Sequence, residues 1–226
     1  MIKEFAENLW VVEDEKFSVG VLQIGSRMTI IRLKDGELFV HSPIALSKTI
    51  RDSIDIIGKP KFIIAPNTMH HLFLKQFYDQ YRETEIYIVP GLRKKLPDFS
   101  NAKDLLDKRD YPWSEEIKQH HVKGIPKLDE VVFFHPFSKT LILTDLAFYI
   151  TADKPLFTRL FFRINGVYDR FGPSRIFKYF ILKNKSEFKK SIGYILEWDF
   201  DKIIISHGRL IEKDGKDIFA KTFKSI

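Results

Sequence analysis

Four polar residues of this chain sit where strongly apolar runs stop. "FIIAPNTMHH" (62–71) ends in His70 and His71, "TLILTD" ends in Asp145, and "KIIISHG" carries His207. Each run has the composition of a buried strand and then breaks abruptly to an imidazole or a carboxylate. Side chains at strand ends meet when their strands share a rim, so residues about 60–75 positions apart can build one site. Two or three imidazoles with a carboxylate suit Zn²⁺, iron or manganese. An ion held this way polarises a substrate oxygen and lowers the pKa of its bound water toward 7. That water is the expected catalytic group, with Asp145 as a second candidate. Taken singly, His207 reads as a hydrogen-bonded core histidine and His70-His71 as a solvated pair; only together do they read as ligands.

The other histidines separate from this set. His41 ends "ELFVHSP" and is a candidate to support the ligands from behind. His135 precedes a hairpin turn while Asp145 ends the returning strand. About 3.3 Å per residue puts them roughly 20 Å apart, so His135 reads as structural. His120 and His121 are consecutive on an alternating run and face opposite sides, one of them toward water.

The elements that must position these residues follow from periodicity. The first third is strand-rich: "NLWVVE", "FSVGVLQIG", then "RMTIIRL" and "ELFVHS" about the turn Lys34-Asp35-Gly36. Leu46, Ile50, Ile54 and Ile57 recur on one helical face that ends at Gly58. A strand–helix–strand unit covers 61–90, and a mostly polar stretch of helix and loop covers 91–112. "EVVFFHPFSKTLILTD" reads as two strands, "SEFKKSIGYILEW" as a helix capped by Ser186, "KIIISHG" as a last strand, and "GKDIFAKTFK" as a closing helix. Strands, then alternating strands and helices, then strands again predict an α+β, αββα sandwich: two mixed β-sheets face to face with outer helices. No G-x-G-x-x-G or P-loop motif supports a doubly wound fold.

The 226 residues fit one domain, 1–226, without linker or repeat. There is no cysteine, no apolar window of membrane-spanning length, and an N-terminus charged from Lys3, so a cytoplasmic location is expected. The net charge of +7 is concentrated. Residues 153–190 hold ten Lys/Arg against three acids, an excess equal to that of the whole chain, interleaved with nine Phe and Tyr. This basic aromatic insert is expected to be helical, broken near Gly166 and Gly172-Pro173, and to lie beside the rim carrying Asp145 and His207. It can meet an anionic substrate, nucleic acid or a membrane surface, or be amphipathic helix with solvated charges.

The order of these residues resembles the metallo-β-lactamase superfamily, whose motif H-x-H-x-D-H is followed by a middle His, a strand-end Asp and a strand-end His. Pro66-Asn67-Thr68-Met69-His70-His71 falls on the motif, Asp145 on the bridging Asp and His207 on the final His. Pro66 and Thr68 replace the first two histidines and the middle His is missing near "VKGIPKLDE". The resemblance therefore implies loss of the first metal site and retention of a second: His70, His71, Asp145 and His207, holding one divalent ion. Zinc is expected, with iron or manganese as alternatives. "ENLWVVED", "RMTIIRLKDGELFVHSP", "APNTMHHLF", "PGLRKK", "TLILTDLAF" and "WDFDKIIISHG" more narrowly resemble a bacterial family of unknown function within that superfamily. The implied activity is mononuclear metal-dependent hydrolysis of an ester, thioester, lactone or phosphoester. The alternatives are metal binding or sensing without hydrolysis, and a non-catalytic module binding nucleic acid or membrane through the basic segment.

Overall fold

In the computed structural model, which describes residues 2–106, 110–224 and 226, the chain opens with the hairpin β1 (Ile2–Ala6) and β2 (Leu9–Asp14). "FSVGVLQIG" is not one strand but a tight hairpin of β3 (Ser18–Val19) and β4 (Leu22–Gln23), because Gly20 takes φ 58° and turns the chain. The predicted hairpin follows as β5 (Ser26–Arg32) and β6 (Glu37–His41). Its turn closes through Gly36 N–H to the Leu33 carbonyl at 2.9 Å, with Gly36 at φ 84°. Helix α1 (Lys48–Ile57) starts where the Ser47 hydroxyl accepts from Ile50 N–H and stops at Gly58.

β7 (Lys59–Ala65), α2 (Leu74–Gln80) and β8 (Glu85–Ile88) form the expected β-α-β unit. The polar stretch after it holds short 3₁₀ turns at Pro90–Leu92 and Pro97–Phe99 and the brief strand β9 (Lys103–Asp104), rather than a long helix. Of the expected 91–112 stretch, residues 107–109 lie outside the described residues. β10 (Lys118–His121), β11 (Val131–His135) and β12 (Thr140–Ile142) precede α3 (Leu156–Ile164), a π-helical turn (Phe177–Ile181) and α4 (Lys185–Leu196). The cap of α4 is Asn184, whose side chain accepts from Glu187 N–H; Ser186 already lies inside the first turn. β13 (Lys202–Ile204) and α5 (Gly215–Phe223) complete the chain.

Beside the small β3–β4 sheet, the two large sheets are both mixed. One runs β1-β2-β5-β6-β7-β8-β9, antiparallel up to β6 and parallel beyond it. The other runs β10-β11-β12-β13, with only β12–β13 parallel. Alternation along β11 shows how they stack. Val131 and Phe133 join the core of the first sheet, where Phe133 meets Phe39 edge-on at 5.4 Å. Val132 and Phe134 face the other way, into a second core with Phe188, Ile192 and Ile195 of α4 and Phe219 and Phe223 of α5. Ile54 of α1 and Leu74 and Phe77 of α2 pack on the first sheet. The result is the expected αββα sandwich. Among the described residues, no helix is long and apolar enough to cross a membrane.

Candidate metal centre

Topology brings the ligand candidates together. β12 and β13 are parallel neighbours with Ile142 opposite Ile204, and Asp145 and His207 each lie three residues beyond that pair. β7 ends in the facing sheet, but its continuation crosses over. Val131 N–H donates to the Pro66 carbonyl at 2.8 Å and Thr68 N–H to the Leu128 carbonyl at 3.0 Å, stitching the two sheets at this rim. The chain then turns at Asn67, whose Oδ1 accepts from the N–H groups of Met69 and His70 at 2.9 Å each. This side-chain turn aims His70 at the second sheet.

His70, Asp145 and His207 present ligand atoms that all lie within 4.8 Å of one another. Asp145 is the centre: its Oδ2 is 3.3 Å from His70 Nε2 and its Oδ1 is 3.2 Å from His207 Nε2. Both imidazoles are held by their far nitrogens. His207 Nδ1 is 2.6 Å from the Gly25 carbonyl and His70 Nδ1 is 2.7 Å from Ser42 Oγ. A carbonyl only accepts, so His207 carries its proton on Nδ1, and neutral His207 keeps the Nε2 lone pair for an ion. Metal-ligating histidines are oriented by bonds of this kind. The donor set and its tautomer therefore fit a borderline divalent cation.

Electrostatics agree with a built carboxylate site. Burial alone would raise the Asp145 pKa, but His70 and His207 beside it hold the carboxyl well below its ordinary value. Burial opposes protonation of His70, yet neighbouring Asp145 outweighs it and raises the imidazole. Glu130, fully buried at the start of β11, supports the far side of Asp145. Its oxygens accept from the N–H groups of Thr144 and Asp145 at 2.8 and 2.9 Å. Burial, with Asp145 nearby, pushes Glu130 up to about 7. Asn67 Nδ2 donates toward Asp145 Oδ2 and Thr144 Oγ1, both at 2.8 Å, so one side chain ties the His70 turn to the Asp145 loop.

His71, the expected fourth ligand, lies outside the converging group. It occupies the turn 70–73 next to His70 and is only half-buried, its Nδ1 lacking a hydrogen-bond partner; burial and Lys95 lower its pKa. His41 is buried near His70 but bonds none of the three converging residues. Both its nitrogens lack hydrogen-bond partners, its ring meets Phe133 at 5.3 Å, and burial pushes its pKa down to about 3. The group that braces His70 is the adjacent Ser42. Where the resemblance implied a lost first site, the Thr68 hydroxyl is spent on the Lys127 carbonyl at 2.8 Å. Among the described residues, no second group of three His, Asp or Glu side chains converges this way.

The other histidines are accounted for. His135 is buried and bonded to Ser138, His121 pairs with Asp129 at 2.6 Å, and His120 packs on Tyr194. Sequence reading missed Asn67 and Glu130. The signal for Asn67 was a turn-forming Asn directly after Pro66; for Glu130 it was a carboxylate at the mouth of "VVFF". Helix α3 of the basic segment approaches this rim: Phe162 stacks on Phe148, which stacks on His207 at 5.3 Å. A cavity of about 810 Å³ opens nearby, bordered by Gly25, Ser206 and Gly208 with Arg27, Lys154 and Arg209; none of the three converging residues lines it.

The fold is that of the metallo-β-lactamases. The DIM-1 metallo-β-lactamase matches with a TM-score of 0.68 at 14% identity, covering 100% of this chain and 97% of that one. FIM-1 from Pseudomonas aeruginosa, in its mono-zinc form, matches at 0.64 and 10%, covering 100% and 95%. The metal-soaked Flv1 flavodiiron core from Synechocystis sp. PCC6803 matches at 0.65 and 12%, covering 100% of this chain and 60% of that one. No curated protein sequence matches. A family model described as a domain of unknown function, DUF4336, matches residues 6–167. That match takes in every strand of the first sheet after β1, the His70 turn and the Asp145 loop, and the chain accordingly belongs to the DUF4336 family, on a metallo-β-lactamase fold.

Proposed function

We propose that this chain is a mononuclear metal-dependent hydrolase of an anionic ester, thioester, lactone or phosphoester, with His70, Asp145 and His207 holding the ion. The observation that carries this reading is the pair of imidazoles pinned through Nδ1 so that both Nε2 atoms face Asp145. Zinc is the expected ion, since imidazole and carboxylate match its preferences; iron and manganese are the alternatives. When bound, such an ion supplies Lewis acidity to a substrate oxygen and to water.

The chain's own residues do the positioning. Ser42 and Gly25 orient the two imidazoles, Asn67 holds the carboxylate, Glu130 holds the Asp145 backbone N–H, and Phe148 shields one face of His207 from water. Lys154, beside Gly25, and the arginines of α3, which reaches this rim through Phe162 and Phe148, favour a negatively charged substrate. Lys95 stands beside the turn that aims His70, its Nζ donating to the Thr68 carbonyl, and adds to that preference.

Metal binding without hydrolysis is the second reading. The small exposure of the side chains of His70, Asp145 and His207 (8%, 15% and 3%) favours it, because a catalytic ion needs an open face. Elemental analysis of purified protein, beside Asp145→Asn and His207→Ala, is the first test; near one equivalent in wild type and little in the variants is expected. Chromogenic carboxylate and phosphate esters then separate the readings. Full metal with no turnover sinks the hydrolase; no metal in wild type sinks both.

A further inference from the structure

Helix α3 buries one side and leaves an apolar side exposed. Thr158 and Phe162 are buried, and Phe162 joins the small core of Ile24, Ile150 and Val167. Leu156, Phe157, Leu160 and Ile164 are 73%, 57%, 52% and 60% exposed. At 3.6 residues per turn these four fall on an arc of about 100°, and Arg159 and Arg163 fall on the adjoining arc. The patch continues past the end of the helix. The Asn165 carbonyl accepts from Arg175 N–H at 2.9 Å, so the next apolar residues begin beside Ile164. Tyr179 and Phe180, in the π-helical turn, are 73% and 63% exposed and alternate with Arg175, Lys178 and Lys183, all exposed. The β3–β4 hairpin rests on α3 through Gln23 N–H to Thr158 Oγ1 at 3.2 Å, and its tip exposes Val21.

We propose that this face is a membrane-surface docking site, in which α3 and the 175–183 turn lie on an anionic bilayer. Their Leu, Ile and Phe side chains enter the headgroup boundary, and Arg163, Arg175, Lys178 and Lys183 meet lipid phosphates. Charge complementarity identifies the occupant: residues 153–190 carry the chain's whole positive excess, and anionic leaflets attract basic segments of this kind. The aliphatic content separates a bilayer from nucleic acid. Single strands stack on aromatic rings and gain nothing from exposed Leu156, Leu160 and Ile164, whereas a headgroup boundary takes up aliphatic and aromatic groups alike. The inference is independent of the hydrolase reading.

The test is co-sedimentation of the full chain with vesicles of phosphatidylcholine alone or with about one-third phosphatidylglycerol. Binding to the anionic vesicles that weakens with added salt is expected. Leu156→Ser with Leu160→Ser, on exposed positions, should lower it at least tenfold without changing the thermal midpoint. Arg163→Gln with Lys178→Gln should lower it about fivefold per charge removed. Three results would overturn the proposal. These are equal partition to both vesicle types or none to either; salt-sensitive binding to mixed-sequence single-stranded DNA but not to vesicles; and a concentration-dependent dimer that Leu160→Glu dissociates without any vesicle binding.

Discussion

Asn67 works on both sides of the candidate site. Its carbonyl oxygen closes the turn that aims His70, and its amide nitrogen holds Asp145. Asn67→Ala removes both, and the part-buried N–H groups of Met69 and His70 lose this acceptor. The expected cost is about 1–3 kcal/mol of stability and a metal affinity lower by about 10–100-fold. Denaturant melts and metal titration measure the two losses; an unchanged affinity would show that the turn does not depend on Asn67. His135, far from the site, gives a pH prediction. Burial depresses its pKa to about 4 from an ordinary 6.5, so the folded state prefers the neutral ring. The resulting stability is complete above about pH 6.5 and is lost as pH falls toward about 4. His135→Gln keeps a partner for Ser138 and cannot titrate. Its thermal midpoint should therefore fall less than that of wild type between neutral and mildly acidic buffer.

The loops matter as much as the strands they extend. Gly208, directly after His207, has φ 104°, and a Cβ there would lie 2.0 Å from the Tyr149 carbonyl oxygen. Tyr149 N–H itself donates to the His207 carbonyl, so this close approach seats the His207 loop against the 148–150 segment. Gly208→Ala must push the two apart, and His207 moves with them. The expected outcome is a destabilised protein whose metal content falls nearly to that of His207→Ala. Full metal content with normal stability would show that the loop relaxes freely.

Metal binding links the site to the stability of the whole chain. An ion that binds only the folded state adds about 2.7 kcal/mol at a hundredfold excess over its dissociation constant. For a chain of this length that raises the thermal midpoint by about 5–10 °C. Chelation should remove that increment from wild type and leave Asp145→Asn unmoved. A chelator-insensitive wild type would mean that the three residues are a hydrogen-bonded core cluster and not a metal centre.

Much of this was legible in the chain itself, because burial writes a period into sequence. The unbroken apolar run of "EVVFFH" marks a strand covered on both faces, the helical spacing of Ile50, Ile54 and Ile57 states which face of α1 is covered, and the abrupt polar residues after apolar runs mark the rim. The order of His70, Asp145 and His207 was enough to anticipate their convergence and the sandwich that produces it. Which of two adjacent histidines would turn inward was not legible. His70 and His71 differ only in how the Asn67 turn directs them, and that turn depends on partners 63 and 78 residues away in sequence. Glu130 was invisible for the same reason: its role exists only because β11 runs antiparallel to β12, which sets the start of one beside the end of the other. Local periodicity records whether a side chain is buried. Only the tertiary structure decides what it is buried against, because hydrogen bonds across sheets depend on direction and distance between segments that leave no trace in one another's pattern.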